Sequence, residues 1–167
     1  MSAAPDTNEE NSTESGTKGV FTNLLSILEG VQKIESKASK DIKDVYDVES
    51  AIYYGKVESY KKELVKMSTL ITSALEWIDT KGYFVFDKEL SNKLESIRKD
   101  LSLAKLLLEN AFEEIATDVE LNEMLIQKQS KASVAEQLND MLSNRLYPSF
   151  IDEAVNKLMI IINTFDD

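Results

Sequence analysis

The chain of 167 residues carries 30 acidic and 19 basic side chains, a net charge of −11, and has neither cysteine nor histidine. Such a balance argues against nucleic acid and anionic lipid as partners, because binding either means neutralising negative charge. The missing residue types remove thiol nucleophiles, disulfides, zinc sites of the Cys/His kind, histidine-ligated haem and every Ser-His mechanism.

Residues 1–19 are polar, carry four acids against one lysine, and present no large apolar side chain between Met1 and Val20. A segment of this kind buries too little surface to offset its ordering entropy, and the expectation is a disordered polar tether. It is not a signal peptide, since it has no apolar stretch. Met1 is either a natural start or a cloning methionine in the place of a removed signal and lipidated cysteine. Residues 20–167 are expected to form one domain, with 43% apolar residues in the chain as material for its core. Five Gly and two Pro are too few turn formers for a many-stranded sandwich or barrel.

Helical periodicity runs through almost all of this domain. Leu24, Val31, Ala38, Val45 and Ile52 recur every seven residues, with Ile27, Ile34 and Val48 between them. That stripe predicts a first helix ending at Gly55, long for a globular helix and so with room for a break near Gly30 or Ser39. Val57, Tyr60, Leu64, Met67, Ile71, Ala74 and Ile78 predict a second helix stopping at Gly82. The third stripe, Leu90, Leu94, Ile97, Leu101, Ala104, Leu108, Ala111 and Ile115, alternates steps of four and three behind Asp87 as N-cap. Thr117 with Glu120 reads as a capping box opening a new helix. Gln127 to Ser133 reads as a kink or loop. Ser133 with Glu136 is a second box, leading into Val134, Leu138, Met141, Leu142 and Leu146. Beyond Pro148, Ser149 is expected to cap a last helix carrying Ile151, Ala154, Leu158, Ile161 and Phe165. Short connections between such helices favour antiparallel neighbours, so the expected fold is an all-α, four- or five-helix antiparallel bundle.

Two groups of residues are candidates for binding. Tyr83, Phe84 and Phe86 belong to the densest aromatic stretch of the chain and stand between two helices. They form either a plug at one end of the bundle or an exposed contact patch, since aromatics dominate binding hot spots. Ile52, Tyr53, Tyr54 and Gly55 admit the same two readings. The second group is Glu109, Glu113, Glu114, Asp118, Glu120 and Glu123, in a stretch from Leu106 to Gln127 that has no basic residue. It is either a solvated helix face or a ridge for a basic partner surface.

No motif for chemistry accompanies them. Glu113 and Glu114 are adjacent and diverge by about 100° on a helix, so they do not converge on one ion. Di-iron bundles need Glu-x-x-His, and the spacing of a calcium loop is absent. Ser-x-x-Lys pairs such as Ser59–Lys62 lack the companion motifs of serine acyl enzymes. No glycine-rich phosphate loop exists. The expectation is a protein that is not an enzyme, with no catalytic residue, no cofactor and no metal.

The run Lys33-Ile34-Glu35-Ser36-Lys37-Ala38-Ser39-Lys40-Asp41-Ile42 resembles the Lys/Ala/Ser/Asp/Ile texture of helical Borrelia outer-surface lipoproteins. The tether Asn8-Glu9-Glu10-Asn11-Ser12-Thr13-Glu14-Ser15-Gly16 is similar to the segment that follows their lipidated cysteine. The resemblance covers the whole chain in style and no diagnostic motif. It implies display on a bacterial surface, with membrane attachment only through a lipid anchor on a cysteine absent from this chain. It also implies binding to a host protein: the complement regulator factor H, plasminogen or extracellular matrix, in immune evasion or adhesion. Binding residues differ from member to member, so none is carried over. Size, acidity and helicity fit a cytosolic adaptor or secretion-chaperone-like protein equally well, and the oligomeric state is left open.

Overall fold

The heptad spacing turns into the buried faces of long helices. A computed structural model describes the backbone of residues 9–42, 50–125 and 143–166 and the side chains of residues 16–42, 55–114 and 143–165. Among them are four long helices and no strand: α1 Glu9–Ile42, α2 Ser50–Lys81, α3 Lys88–Leu125 and α4 Tyr147–Asp166, with a 3₁₀ turn at Gly82–Phe84. α1 packs on α2 and α4, and α3 on α2 and α4, so the helices close a ring. Trp77, late in α2, donates its indole N–H to the Val20 carbonyl, early in α1, at 3.0 Å. Phe21 meets Phe165 at the end of α4, with ring centroids 6.2 Å apart. Arg98, early in α3, bonds Asp79, late in α2. Neighbours therefore run antiparallel all round, the up-down-up-down arrangement of a four-helix bundle.

The expected faces of α2, α3 and α4 are buried. All seven stripe residues of α2 lie in the core, as do Leu94, Ile97, Leu101, Ala104 and Leu108 of α3 and Ile151, Ala154, Leu158 and Ile161 of α4. Asp87 caps α3, its carboxylate accepting from the Leu90 N–H at 3.0 Å. Leu101 and Leu108 are fully buried. Truncating either to alanine should destabilise the fold by roughly 2–5 kcal/mol in urea unfolding. A change below about 1 kcal/mol would mean that the stripe does not face the core.

Four local expectations are corrected. α1 ends at Ile42 and α2 begins at Ser50, so Gly55 lies inside a helix instead of ending one. One helix running to Gly55 would leave half of its stripe without a neighbour. The chain reverses instead, and an exposed helical glycine costs only about 1 kcal/mol relative to alanine. α3 is continuous through Thr117 and Glu120 to Leu125. No Pro or Gly interrupts it, and glutamate propagates a helix as readily as it completes a capping box. α4 begins at Tyr147, with Pro148 in the first turn, where its missing N–H is not needed. The Ser149 N–H donates to the Leu146 carbonyl at 3.1 Å, so Ser149 is within the first turn, not its cap. At the other end of the chain, α1 begins at Glu9, inside the segment assigned to the tether. Among the described side chains, which begin at Gly16, Val20 is nonetheless the first buried one. Extending a helix from packed turns adds one hydrogen bond per residue without a second nucleation step. The loop expected at Gln127 to Ser133 and the capping box at Ser133 lie outside the described residues.

Candidate binding surfaces

The aromatic run is fixed from within by Val85 and from behind by Asp87. Val85 is buried, and its N–H bonds the Gly82 carbonyl at 3.0 Å, closing the 3₁₀ turn. Two residues later Asp87 caps α3. Only Val85 plugs the bundle. Tyr83, Phe84 and Phe86 are 82%, 54% and 77% exposed, so of the two readings it is the exposed patch that the structure contains. The turn is also tied to α1, where Thr17 donates to the Phe84 carbonyl at 3.4 Å. The Lys81 ammonium lies 5.5 Å from the Trp77 ring centroid and 5.8 Å from that of Phe84, near enough to both for cation–π attraction. Beside the rings runs a groove of about 480 Å³, walled by Gly16, Gly19 and Val20 of α1, by Trp77 and Lys81 of α2, and by Phe84 and Phe86.

The acidic residues lie elsewhere. Glu109, Glu113 and Glu114 are exposed on α3, with Lys105 forming an ion pair to Glu109 at 3.9 Å. Asp118, Glu120 and Glu123 continue along the same helix, and their side chains lie outside the described ones. Helical spacing sets Glu109, Glu113 and Glu120 in one row and Glu114 with Asp118 in the next. From Lys88 to Glu109 the axis advances roughly 30 Å. The aromatic turn and the acidic ridge therefore occupy opposite ends of the bundle and do not form one site. The Ile52 to Tyr54 side chains lie outside the described ones.

A third constellation was not anticipated from the sequence. Phe21, Leu24, Leu28 and Val31 advance along α1 in steps of three and four, and the next position inward is Glu35, not the Ile34 expected there. Glu35 is the one buried charged residue among the described side chains. Its carboxylate accepts from Arg145 Nε at 2.8 Å, Ser39 Oγ at 2.7 Å and the Tyr147 hydroxyl at 2.5 Å. The Tyr60 and Tyr147 hydroxyl oxygens are 2.7 Å apart. Since the single proton of Tyr147 goes to Glu35, Tyr60 is the donor in that pair. Burial, reinforced by the Glu35 charge, pushes the Tyr60 hydroxyl up to about 12 despite its bond to Tyr147. Burial, with Tyr60 and Glu35 adding to it, pushes Tyr147 up further. Burial works against the Arg145 charge, but the adjacent Glu35 carboxylate outweighs it and holds the proton more tightly than usual. The signal for this cluster was a glutamate on the core row. Arg145 and Tyr147, over a hundred residues away, carried none.

This cluster is closed. No buried side-chain nitrogen or oxygen among the described residues lacks a hydrogen-bond partner. No three acidic side chains among them converge as metal ligands would. No described helix is long and apolar enough to cross a membrane. Compared with family models, curated proteins and solved structures, the chain matches none.

Proposed function

We propose that the protein is a non-enzymatic binding protein displayed on a bacterial surface through its N-terminal segment, and that it docks a basic region of a host serum or matrix protein on the acidic end of α3. The observation that carries this reading is the separation of the two ends. α1 enters the bundle beside the aromatic turn, whereas Glu109, Glu113 and Glu114 are exposed at the opposite end. A domain tethered by its N-terminus presents that acidic end outward. Factor H, plasminogen and matrix proteins are the candidate partners that the resemblance implies.

Charge complementarity of this kind acts mainly on encounter and is screened over about 8–10 Å at physiological salt. Surface plasmon resonance against serum proteins tests it. Binding should fall between low and physiological ionic strength. Reversing Glu113, Glu114 and Glu120 to lysine should slow association by about tenfold or more and change dissociation little. Helicity and melting temperature should stay nearly unchanged, because exposed charges contribute little to folding. Full binding by the triple reversal would remove the acidic ridge from the site. Absence of binding to any serum or matrix protein would favour the cytosolic adaptor or secretion-chaperone reading.

A further inference from the structure

We propose that the aromatic turn and the groove beside it form a self-complementary patch through which two copies of this chain associate. The proposal goes beyond the host-protein reading, and its readout needs no host protein. Three large rings stand out from a turn fixed by the buried Val85, by its bond to the Gly82 carbonyl and by the Asp87 cap that follows, so covering them orders little that is not already ordered. At these exposures they offer roughly 400 Å² of aromatic surface, given about 150–250 Å² per buried ring. That is about half of the roughly 800 Å² that each partner contributes to a stable interface. The groove wall outside the rings adds little, so the contact belongs to the small, transient class of interface, below about 600 Å² per partner.

The glycines of that wall favour a ring from another molecule. Gly16 and Gly19 are three apart on one helical face, and a Cβ built on either meets nothing within 4 Å. Neither packing nor a left-handed backbone within this chain demands glycine there, although each glycine costs about 1 kcal/mol of helix stability against alanine. Their absence of side chains keeps the groove open. The protruding rings and the open groove lie on one patch, the arrangement that an isologous two-fold contact requires. A two-fold axis along the bundle keeps both N-termini at one end and both acidic ends at the other. The dimer would then present two α3 ridges to a partner, which raises avidity without a new contact.

Trp77, the only tryptophan of the chain, lines the groove and reports on it directly. Sedimentation velocity of the full chain, from micromolar to millimolar, should show a concentration-dependent dimer, with a shift of Trp77 emission following the same curve. Because each copy carries −11, raising salt should strengthen this association as repulsion is screened. That is the opposite sign to docking on the acidic ridge. Phe84→Ser with Phe86→Ser should weaken self-association at least tenfold. Gly16→Leu with Gly19→Leu should do so by filling the groove, with helicity retained. A monomer across the whole range overturns the proposal, as does a dimer that neither pair of substitutions weakens. A chain that stays monomeric while Trp77 emission shifts on adding phosphatidylcholine vesicles would overturn it in favour of a lipid contact.

Discussion

Replacing Arg145 with alanine is expected to destabilise the fold by about 3 kcal/mol, the range for breaking a buried ion pair from one side. The Arg145 side chain is 25% exposed and that of Glu35 11% exposed, so removing the guanidinium strands a carboxylate in the core. Ser39 and Tyr147 would remain as its donors and would soften the loss without supplying a charge. Removing both charges together, as Glu35→Leu with Arg145→Met, should recover much of the stability, because no unpaired charge is then buried. Chemical denaturation of the two single variants and the double variant measures the coupling, expected at about 1 kcal/mol or more. The location gives this pair its leverage. Arg145 stands directly before α4, and its bonds to Glu35 and Ser39 fasten that end of the helix to α1. A loss below about 1 kcal/mol in Arg145→Ala would mean that water screens the pair as it does an exposed one.

Alkaline pH should unfold the bundle cooperatively, with Tyr60 and Tyr147 as the groups responsible. Both hydroxyls hold their protons above the ordinary tyrosine value near 10. The native state therefore favours the neutral forms, while the unfolded chain begins to release these protons as pH passes 10. Their contribution to stability is fully present below pH 10 and is lost as pH rises toward about 12 for Tyr60, and beyond that for Tyr147. The Tyr60 displacement alone corresponds to about 3 kcal/mol. Ultraviolet titration at the phenolate band should show these two of the six tyrosines ionising together with the loss of helical circular dichroism. Tyr60→Phe and Tyr147→Phe should each reduce the cooperative step. Ionisation of all six tyrosines with helicity intact would contradict the burial on which the argument rests.

The two clusters differ in how far the chain alone reveals them. Tyr83, Phe84 and Phe86 were visible as a concentration of aromatic residues between two helices, but composition does not distinguish a plug from a patch. The distinction came from the fold, in which Val85 is the buried member of the run and the three rings face outward. Glu109 to Glu123 was visible as a run of acids, and periodicity correctly keeps Glu109, Glu113 and Glu114 on the outside. Neither run discloses that it lies at the opposite end of the bundle from the other. That separation follows from how the helices alternate in direction.

What the amino-acid order determined by itself is local and periodic. Steps of three and four set which face of α2, α3 and α4 is buried, Asp87 starts α3, and Gly82 follows the end of α2. These depend on neighbours within one or two helical turns, where backbone geometry leaves little choice. The tertiary structure decided what depends on distant partners. It decided where the first stripe reverses, so that Gly55 lies inside α2. It carried α3 through Thr117 and Glu120 without a break. It also let Glu35 be buried on the core row of α1, because Arg145, just before α4, and Tyr147, at its start, arrive to satisfy its charge. A buried carboxylate is tolerated only where donors converge on it, and donors a hundred residues away leave no mark on the periodicity around Glu35.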